Sequence, residues 1–349
     1  MMPSPARRLA VDPARFPHMI DAVRDRLLLM ELDERRLSEA SFLDQRAITP
    51  ETRGAWIDWA EAEAGCAPGA RDDAHWIFHI GHVGSSLISR LLGAAPGVLG
   101  LREPMVLRAL AELAGLLDRP ECPIDPASFP ARAALLRRLL ARTFRPEQRA
   151  IVKASSFVSE IAPALASNQA RVLFLHVRPE SYMRTILAGD GSRQELALVS
   201  GARLARLHRR LGDAPWRLWR MDEAAKLALG WATEMTALDA AEAAMPEGAV
   251  LRLDFDRFLD APAEGLLALA RHFGLALDEP QARALVASPI MQRYSKAPEH
   301  AYSPDLRRRL LDQAQAEHGP AITRGLAWLE EAAKDHPAIG CALDRAARS

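Results

Sequence analysis

The sequence predicts an α/β fold, a doubly wound parallel sheet flanked by helices, with helical N-terminal and C-terminal extensions. Three observations predict it. Short apolar runs alternate with helical patterns between about residues 74 and 275, turns rich in glycine or proline separate them, and the flanking segments show helical spacing. The expected organisation is therefore an N-terminal extension over 1–70, an α/β domain over 74–275 and a helical region over 276–349 that packs on the same domain.

Residues 1–70 are predicted to be helical. From Phe16 to about Glu39, apolar residues recur at mixed steps of three and four, which is typical of an amphipathic helix. A second helix is expected after Thr49, which could cap it, with Pro50 at its first position, and it should end near Gly65.

The next segment changes to strand–turn–helix–strand order, which defines a βαβ unit and implies a parallel sheet. Strands are expected at 75–80, 98–101, 150–153, 171–177 and 250–255. The run 171–177 is continuously apolar and suits a central, buried strand. Long helices are expected at about 194–211 and 222–245, and a further helix from Pro262 should end at Gly274. Residues 280–349 look helical apart from a loop at 295–302.

Composition excludes several classes of protein. With 49% hydrophobic and 26% charged residues, the 349-residue chain can build a large core and is not disordered. A net charge of +0 disfavours nucleic-acid binding. Three scattered cysteines disfavour a zinc or disulfide framework. The sequence contains no run of about 18 apolar residues, which is the length that a membrane span needs. We expect a cytoplasmic protein without a metal; its oligomeric state is left open.

The loop after the first α/β strand carries the strongest chemical signal. It lies between a buried strand and a helix, so free backbone N–H groups and the positive end of the helix dipole can hold an anion. The expected binding residues are Gly81, Val83, Gly84, Ser85, Ser86 and Leu87. The loop is P-loop-like, but Ser85 stands where the Walker pattern requires lysine, which disfavours an ATPase or GTPase.

The run from Phe78 to Leu92 resembles the 5′-phosphosulfate loop of the sulfotransferase superfamily, in which a glycine and two Thr/Ser residues precede a helix. Three later segments, 95–104, 175–185 and 253–262, are similar to further stretches of that family in the same order. The resemblance covers about residues 75–275. It implies a divergent, bacterial-type member that uses 3′-phosphoadenosine-5′-phosphosulfate as co-substrate.

The resemblance also implies catalytic residues. His82 occupies the position where the family carries a lysine or arginine on the sulfate, Glu103 matches the base of the protein-tyrosine branch, and Lys153 matches a strand-end lysine that faces the cleft. Structural alternatives remain for each. His82 could be a loop residue without a role, Glu103 could pair with Arg102, and Lys153 could simply be exposed at the strand terminus.

The strand 171–177 leads into a segment similar to the family's 3′-phosphate motif. There Arg178 offers a planar guanidinium to a phosphate, and Thr185 or, given the shorter interval, Ser181 offers a hydroxyl. Arg178 could equally be a solvent-exposed strand-end residue. By analogy of location, Arg293 and Lys296 in a late basic loop are expected to cover the nucleotide.

The function expected from these features is transfer of a sulfuryl group to a hydroxyl or amine of a small-molecule or peptide acceptor. Two alternatives stay open: a non-catalytic nucleotide-binding protein of the same fold, which His82 favours, and a P-loop small-molecule kinase, which the missing lysine disfavours. A basic face on the 194–211 helix suggests a solvated surface or an acidic acceptor. It consists of Arg203, Arg206, Arg209 and Arg210.

Overall fold

The computed structural model describes residues 9, 11–66, 70–212, 214–293 and 303–348. At its centre lies a five-stranded parallel sheet with the strand order β5-β6-β4-β7-β8. The strands are β4 (His75–His79), β5 (Val98–Arg102), β6 (Arg149–Lys153), β7 (Val172–His176) and β8 (Val250–Asp254). The predicted α/β class and parallel sheet are confirmed, and each predicted strand lies within one or two residues of its observed bounds.

The chain lays β5 and β6 on one side of β4 and then β7 and β8 on the other. This reversal makes β4 the switch point of the sheet, where loops at the carboxyl ends of the strands open a crevice. Every residue of β4, β5 and β7 is buried. Because helices cover both faces of the sheet, both sets of alternating side chains on these strands are buried, and this explains why the strands are largely apolar.

Helices cover both faces of the sheet. Within the α/β region they are α3 (Ser85–Gly93), α4 (Met105–Ala114), α5 (Phe129–Ala141), α6 (Ala162–Leu165), α7 (Pro179–Leu187), α8 (Asp190–Leu211), α9 (Glu223–Ala243), α10 (Phe255–Asp260) and α11 (Pro262–Phe273). Gly274, with φ of 65°, terminates α11 as predicted. The C-terminal region is helical, as predicted. Its helices are α12 (Glu279–Ala287), α13 (Pro304–Asp335) and α14 (Pro337–Arg348).

The N-terminal region differs from the prediction, because it is built on a three-stranded antiparallel sheet. The strands are β1 (Arg15–Asp21), β2 (Arg26–Glu31) and β3 (Gly54–Asp58), with the short helices α1 (Glu34–Glu39) and α2 (Trp59–Gly65) between and after them. The expected helix from Phe16 is therefore wrong. Two short strands joined by a turn place apolar residues at spacings that resemble a helical repeat, whereas Leu27 and Leu29 in fact alternate as on a strand.

The second N-terminal helix was also misplaced. Thr49 does not cap a helix; its backbone N–H bonds the Thr52 hydroxyl at 2.9 Å in a turn, and the chain then continues as β3. Helix α2 begins only at Trp59. Among the described helices, none combines the length and apolarity needed to cross a membrane.

Candidate active site

The loop between β4 and α3 contains three residues whose backbone adopts the left-handed conformation. Gly81, His82 and Gly84 have φ of 84°, 55° and 69°. A β-carbon on Gly84 would come within 2.0 Å of the Phe255 ring, so the position accepts only glycine. Such a curled backbone directs successive N–H groups inward, which is the geometry of an anion-binding nest.

The first turn of α3 continues this site. Ser85, Ser86 and Leu87 are buried, and no side chain caps the free N–H groups that follow Gly84. Val83 lies in the core beneath the loop and holds it in place. Uncapped backbone donors, two serine residues and the positive end of the helix dipole therefore lie at this one junction.

A buried ion pair adjoins the helix start. Lys153, fully buried at the end of β6, forms a salt bridge with Glu103 Oε1, and its Nζ donates to Ser86 Oγ over 3.3 Å. The second carboxylate oxygen of Glu103 accepts from Ser155 Oγ at 3.3 Å. The structure thus brings Glu103 and Lys153 together at the start of α3. A buried ammonium requires such an anionic partner.

Neighbouring strands fix this pair. Residues Arg102 and Lys153 face each other in the β5–β6 ladder, and the Glu103 N–H donates to the Lys153 carbonyl at 2.7 Å. Arg102 does not pair with Glu103; it donates instead to the carbonyls of Ser38 and Ala40. Glu103 has φ of 50°, a left-handed conformation that costs a side-chain-bearing residue about 1–3 kcal/mol.

His82 is held by α8. Its Nε2 lies 3.2 Å from Glu195 Oε2, and its Nδ1 lies 3.3 Å from Ser192 Oγ. The imidazole is 11% exposed. The predicted position therefore reaches the edge of the site, but as part of a His–Glu pair. No local pattern in the sequence signalled Glu195, since the pair joins residues 113 apart.

His79, the last residue of β4, supports the loop. The Gly81 N–H donates to Nδ1 at 3.0 Å, so the neutral ring carries its proton on Nε2, which donates to the Ala154 carbonyl at 2.9 Å. With both nitrogens engaged, His79 cannot accept a proton from a substrate.

A cavity of about 500 Å³ opens beside the loop, and Glu103 faces into it. Its floor comes from His79, Gly81 and His82, and its walls come from α4, α8 and the turn at 155–157. A cavity of this size lies in the range of small-molecule sites. The carboxylate of Glu103 is thus one of the acidic groups at this cavity, and its contacts with Lys153 and Ser155 hold it beside the loop after β4.

The junction after β7 is more open. Arg178, at the N-cap of α7, is exposed, and its guanidinium forms no hydrogen bond or ion pair with any other described residue. The Thr185 hydroxyl donates to the Ser181 carbonyl at 2.7 Å, whereas Ser181 Oγ faces the guanidinium of Arg307 at 3.4 Å. Of the two candidate hydroxyls, Ser181 is the one beside a cation.

Arg307, at the start of α13, is a residue that sequence reasoning missed. Its Nη2 lies 2.7 Å from Asp256 Oδ1, and its guanidinium lies 5.4 Å from the centre of the Phe255 ring that covers Gly84. It therefore stands between the two predicted phosphate sites. The only signal in the sequence is a run of three arginines at the helix start.

The late basic loop is described only in part. Arg293 is exposed, and Lys296 lies outside the described residues. In the described ranges no cluster of three or more His, Cys, Asp or Glu side chains could hold a metal ion.

No protein-family model matches the sequence, and no curated protein matches it. Solved structures do resemble the fold. A sulfotransferase domain from the curacin biosynthetic pathway is 12% identical, with 69% of this chain and 89% of that chain covered and a TM-score of 0.42. A mouse sulfotransferase complexed with PAP is 12% identical, with 79% of this chain and 89% of that chain covered and a TM-score of 0.40. A sulfotransferase from Mycobacterium tuberculosis is 16% identical, with 71% of this chain and 76% of that chain covered and a TM-score of 0.37.

Proposed function

We propose that the protein transfers a sulfuryl group from 3′-phosphoadenosine-5′-phosphosulfate to a hydroxyl-bearing small molecule. The observation that carries the proposal is the buried Lys153 ammonium. It lies beside Ser86 Oγ at the uncapped start of α3 and is paired with a carboxylate that faces the cavity. An anion site and a carboxylate placed toward an acceptor are the two parts that such a transfer requires.

The residues present fit this co-substrate, which would supply the sulfuryl group. The curled loop at 81–84 and the first turn of α3 would hold the phosphosulfate through backbone amides and the Ser85 and Ser86 hydroxyls. Arg178, with Ser181 and Arg307 nearby, would hold the 3′-phosphate. Thr185 remains the sequence-based alternative to Ser181, and Arg293 and Lys296 remain candidates for the nucleotide cover.

Lys153 would supply the positive charge that the loop lacks at position 82. Its ammonium reaches the helix start from β6, and it is fixed there by Glu103 and Ser86. A preorganised cation in a buried site stabilises developing negative charge without rearrangement, and such contributions are worth about 3–4 kcal/mol. His82 would add one donor from the loop.

Glu103 would accept the proton of the acceptor hydroxyl. His79 is excluded because both ring nitrogens are engaged. Glu103 is held by Lys153 on one oxygen and by Ser155 on the other, yet its side chain is 20% exposed and faces the cavity. A base held in place at the edge of the acceptor space is what general base catalysis needs.

The test is calorimetric titration with adenosine 3′,5′-bisphosphate and, separately, with ATP and Mg²⁺. We expect the bisphosphate to bind at least tenfold more tightly than ATP. Tight ATP binding without bisphosphate binding would contradict the proposal and favour a kinase. Transfer of ³⁵S from labelled co-substrate to a metabolite extract then tests catalysis, with Glu103→Gln as the variant expected to lose it.

A second candidate is a non-catalytic nucleotide-binding protein. The observation that favours it is the engagement of His82 by Glu195 and Ser192, since a ring held on both nitrogens offers less to a leaving phosphate. Bisphosphate binding without ³⁵S transfer to any pool would support this candidate.

A further inference from the structure

The wall of the cavity is rich in arginine. Five arginines line it, and the last three of them belong to the predicted basic face of α8: they are Arg108, Arg119, Arg203, Arg206 and Arg209. The expectation that this face is a solvated surface is wrong for Arg203 and Arg206, which are 5% and 7% exposed. Helix α8 packs against α9, so the face points largely inward.

Four of the five arginines have acidic partners. Arg203 and Arg206 share the fully buried Glu234, with the shortest contact at 2.8 Å. Burial by itself would raise the pKa of Glu234, but these two guanidinium groups hold it below its ordinary value. Arg206 also pairs with Glu160, which Arg210 of the same face shares. These three guanidinium groups already have acidic partners within the fold, with two carboxylates serving all three.

The outer arginines differ from one another. Arg108 pairs with Glu112 at 3.2 Å, and Arg119 approaches Glu121 at 3.7 Å. The Arg209 residue is exposed, and its guanidinium forms neither an ion pair nor a hydrogen bond with another described residue. Its guanidinium lies over Gly115 at the end of α4, 3.5 Å from where a β-carbon on that residue would stand.

The acidic side chains that line the cavity are all engaged. Glu103 pairs with Lys153, Glu112 with Arg108, Glu195 with His82 and Glu234 with two arginines. Arg209 is therefore the cation of the described wall that lacks a counter-charge. A guanidinium offers a planar pair of N–H donors that matches a carboxylate.

Apart from Ser155 and Ser156, the remaining wall is apolar. It is formed by Ala111, Leu116, Phe157, Val199, Ala202 and Ala205. We propose that the acceptor has an apolar body and carries a carboxylate that binds Arg209, with its hydroxyl at Glu103. This assignment rests on the proposed function, because it takes the cavity as the acceptor site. A singly charged carboxylate is favoured over a phosphate dianion because one guanidinium is left without a partner.

The experiment uses the full-length protein saturated with adenosine 3′,5′-bisphosphate. Linear ω-hydroxy acids of six to twelve carbons and their methyl esters are titrated by calorimetry. The two members of a pair share the hydroxyl and the apolar chain, and the ester replaces the negative charge of the carboxylate with a neutral methyl ester. We expect the best acid to bind at least tenfold more tightly than its ester, and Arg209→Gln to reduce this ratio below twofold.

Arg283→Gln is the matched control, since Arg283 is an exposed arginine on α12, outside the cavity wall. It should preserve the acid–ester ratio, and both variants should bind the bisphosphate like the wild type. Equal binding of acid and ester, no binding of any acid, or an unchanged ratio in Arg209→Gln would overturn the carboxylate assignment while leaving bisphosphate binding intact. Failure of the bisphosphate to bind at all would instead overturn the proposed function.

Discussion

The junctions that follow β4 and β7 lie side by side, since His79 pairs with Leu175 in the parallel ladder, but they are built differently. After β4 the chain forms a loop with left-handed glycines, followed by the buried Ser85 and Ser86, and the buried Lys153 contacts Ser86. After β7 the chain forms a helix with an exposed Arg178 at its N-cap. The first junction is ordered by contacts within the protein, whereas the second presents its charge to solvent.

The last residue of each strand shows the same contrast. His79 uses both ring nitrogens to hold the loop after β4. His176 is fully buried, and neither of its ring nitrogens has a hydrogen-bond partner among the described residues. Burial, and secondarily the charge of Arg252, lowers the pKa of His176 to about 4.

The difference implies a division of roles. A preorganised site gives strong electrostatic stabilisation because little has to move when charge appears. The junction after β4 is therefore expected to govern transfer, and the junction after β7 to govern nucleotide affinity. The variants below test this division, beginning with the largest expected effect.

Substituting Gly84 by alanine should disrupt the β4 junction most strongly. The new methyl group would collide with Phe255 at 2.0–2.4 Å in a backbone with φ of 69°. We expect a loss of about 3–5 kcal/mol in the free energy of unfolding, measured in urea, and loss of bisphosphate binding by calorimetry. Both effects follow from moving the loop.

Gly274→Ala is the matched control for this change. Its φ is 65°, but no atom lies within 4 Å of the added methyl group. This variant should lose about 1 kcal/mol in the free energy of unfolding, because only the left-handed backbone conformation disfavours alanine there. If the two variants lost equal stability, the close approach of Phe255 would not explain the glycine at position 84.

Replacing Lys153 by methionine should separate transfer from nucleotide binding. The variant keeps the length of the side chain but removes the ammonium from Ser86 and Glu103. We expect kcat of ³⁵S transfer to fall about 100-fold or more, with less than a tenfold change in bisphosphate affinity. Lys334→Met, which removes an exposed lysine paired with Glu331, should change neither value. A kcat within threefold of the wild type would refute the role of Lys153.

Arg178→Ala should have the opposite effect to Lys153→Met, because it should weaken bisphosphate binding rather than transfer. We expect bisphosphate affinity to fall more than tenfold, because a phosphate would lose a guanidinium fork, while the free energy of unfolding stays within about 0.5 kcal/mol. Arg171→Ala, which removes an exposed arginine beside the other end of β7, is the control and should leave affinity unchanged. Unchanged affinity in Arg178→Ala would contradict the assigned 3′-phosphate site.

The parallel sheet and the β4 loop could be predicted because their signals are local. A continuous apolar run marks a buried strand, and Gly84-Ser85-Ser86 lies directly between strand and helix. The N-terminal sheet was missed because apolar residues in a hairpin recur at spacings that also suit a helix. Register and burial distinguish the two, and neither is visible in a single segment.

The partners within the site could not be predicted for a related reason. His82 meets Glu195 over 113 residues, and Arg307 reaches the β7 junction from the start of α13. Such pairs depend on how helices pack, which the spacing of one motif does not contain. The basic face of α8 illustrates the same limit, since its periodicity is real, but packing against α9 decides which arginines are neutralised.

The smallest expected effect concerns His176 and appears as a pH dependence of stability. Because the folded-state pKa is about 4 and the ordinary value is 6.5, the unfolded chain takes up a proton as the pH falls below 6.5, while the folded protein stays neutral at this site until about pH 4. Stability is thus lost as the pH falls through this window. From pH 7.5 to 5.5 the site should contribute a loss of about 1 kcal/mol.

His176→Leu should remove that contribution. The side chain is buried and has no hydrogen-bond partner in the described part of the chain, so leucine gives up no bond. Urea unfolding at pH 7.5 and 5.5 should show the wild type losing about 1 kcal/mol more than the variant. The remaining slope of the variant reports other buried histidines, including His75, whose pKa burial lowers to about 4. An identical pH dependence in both proteins would show that His176 is not held neutral by burial, and the contrast between the two strand-end histidines would fail.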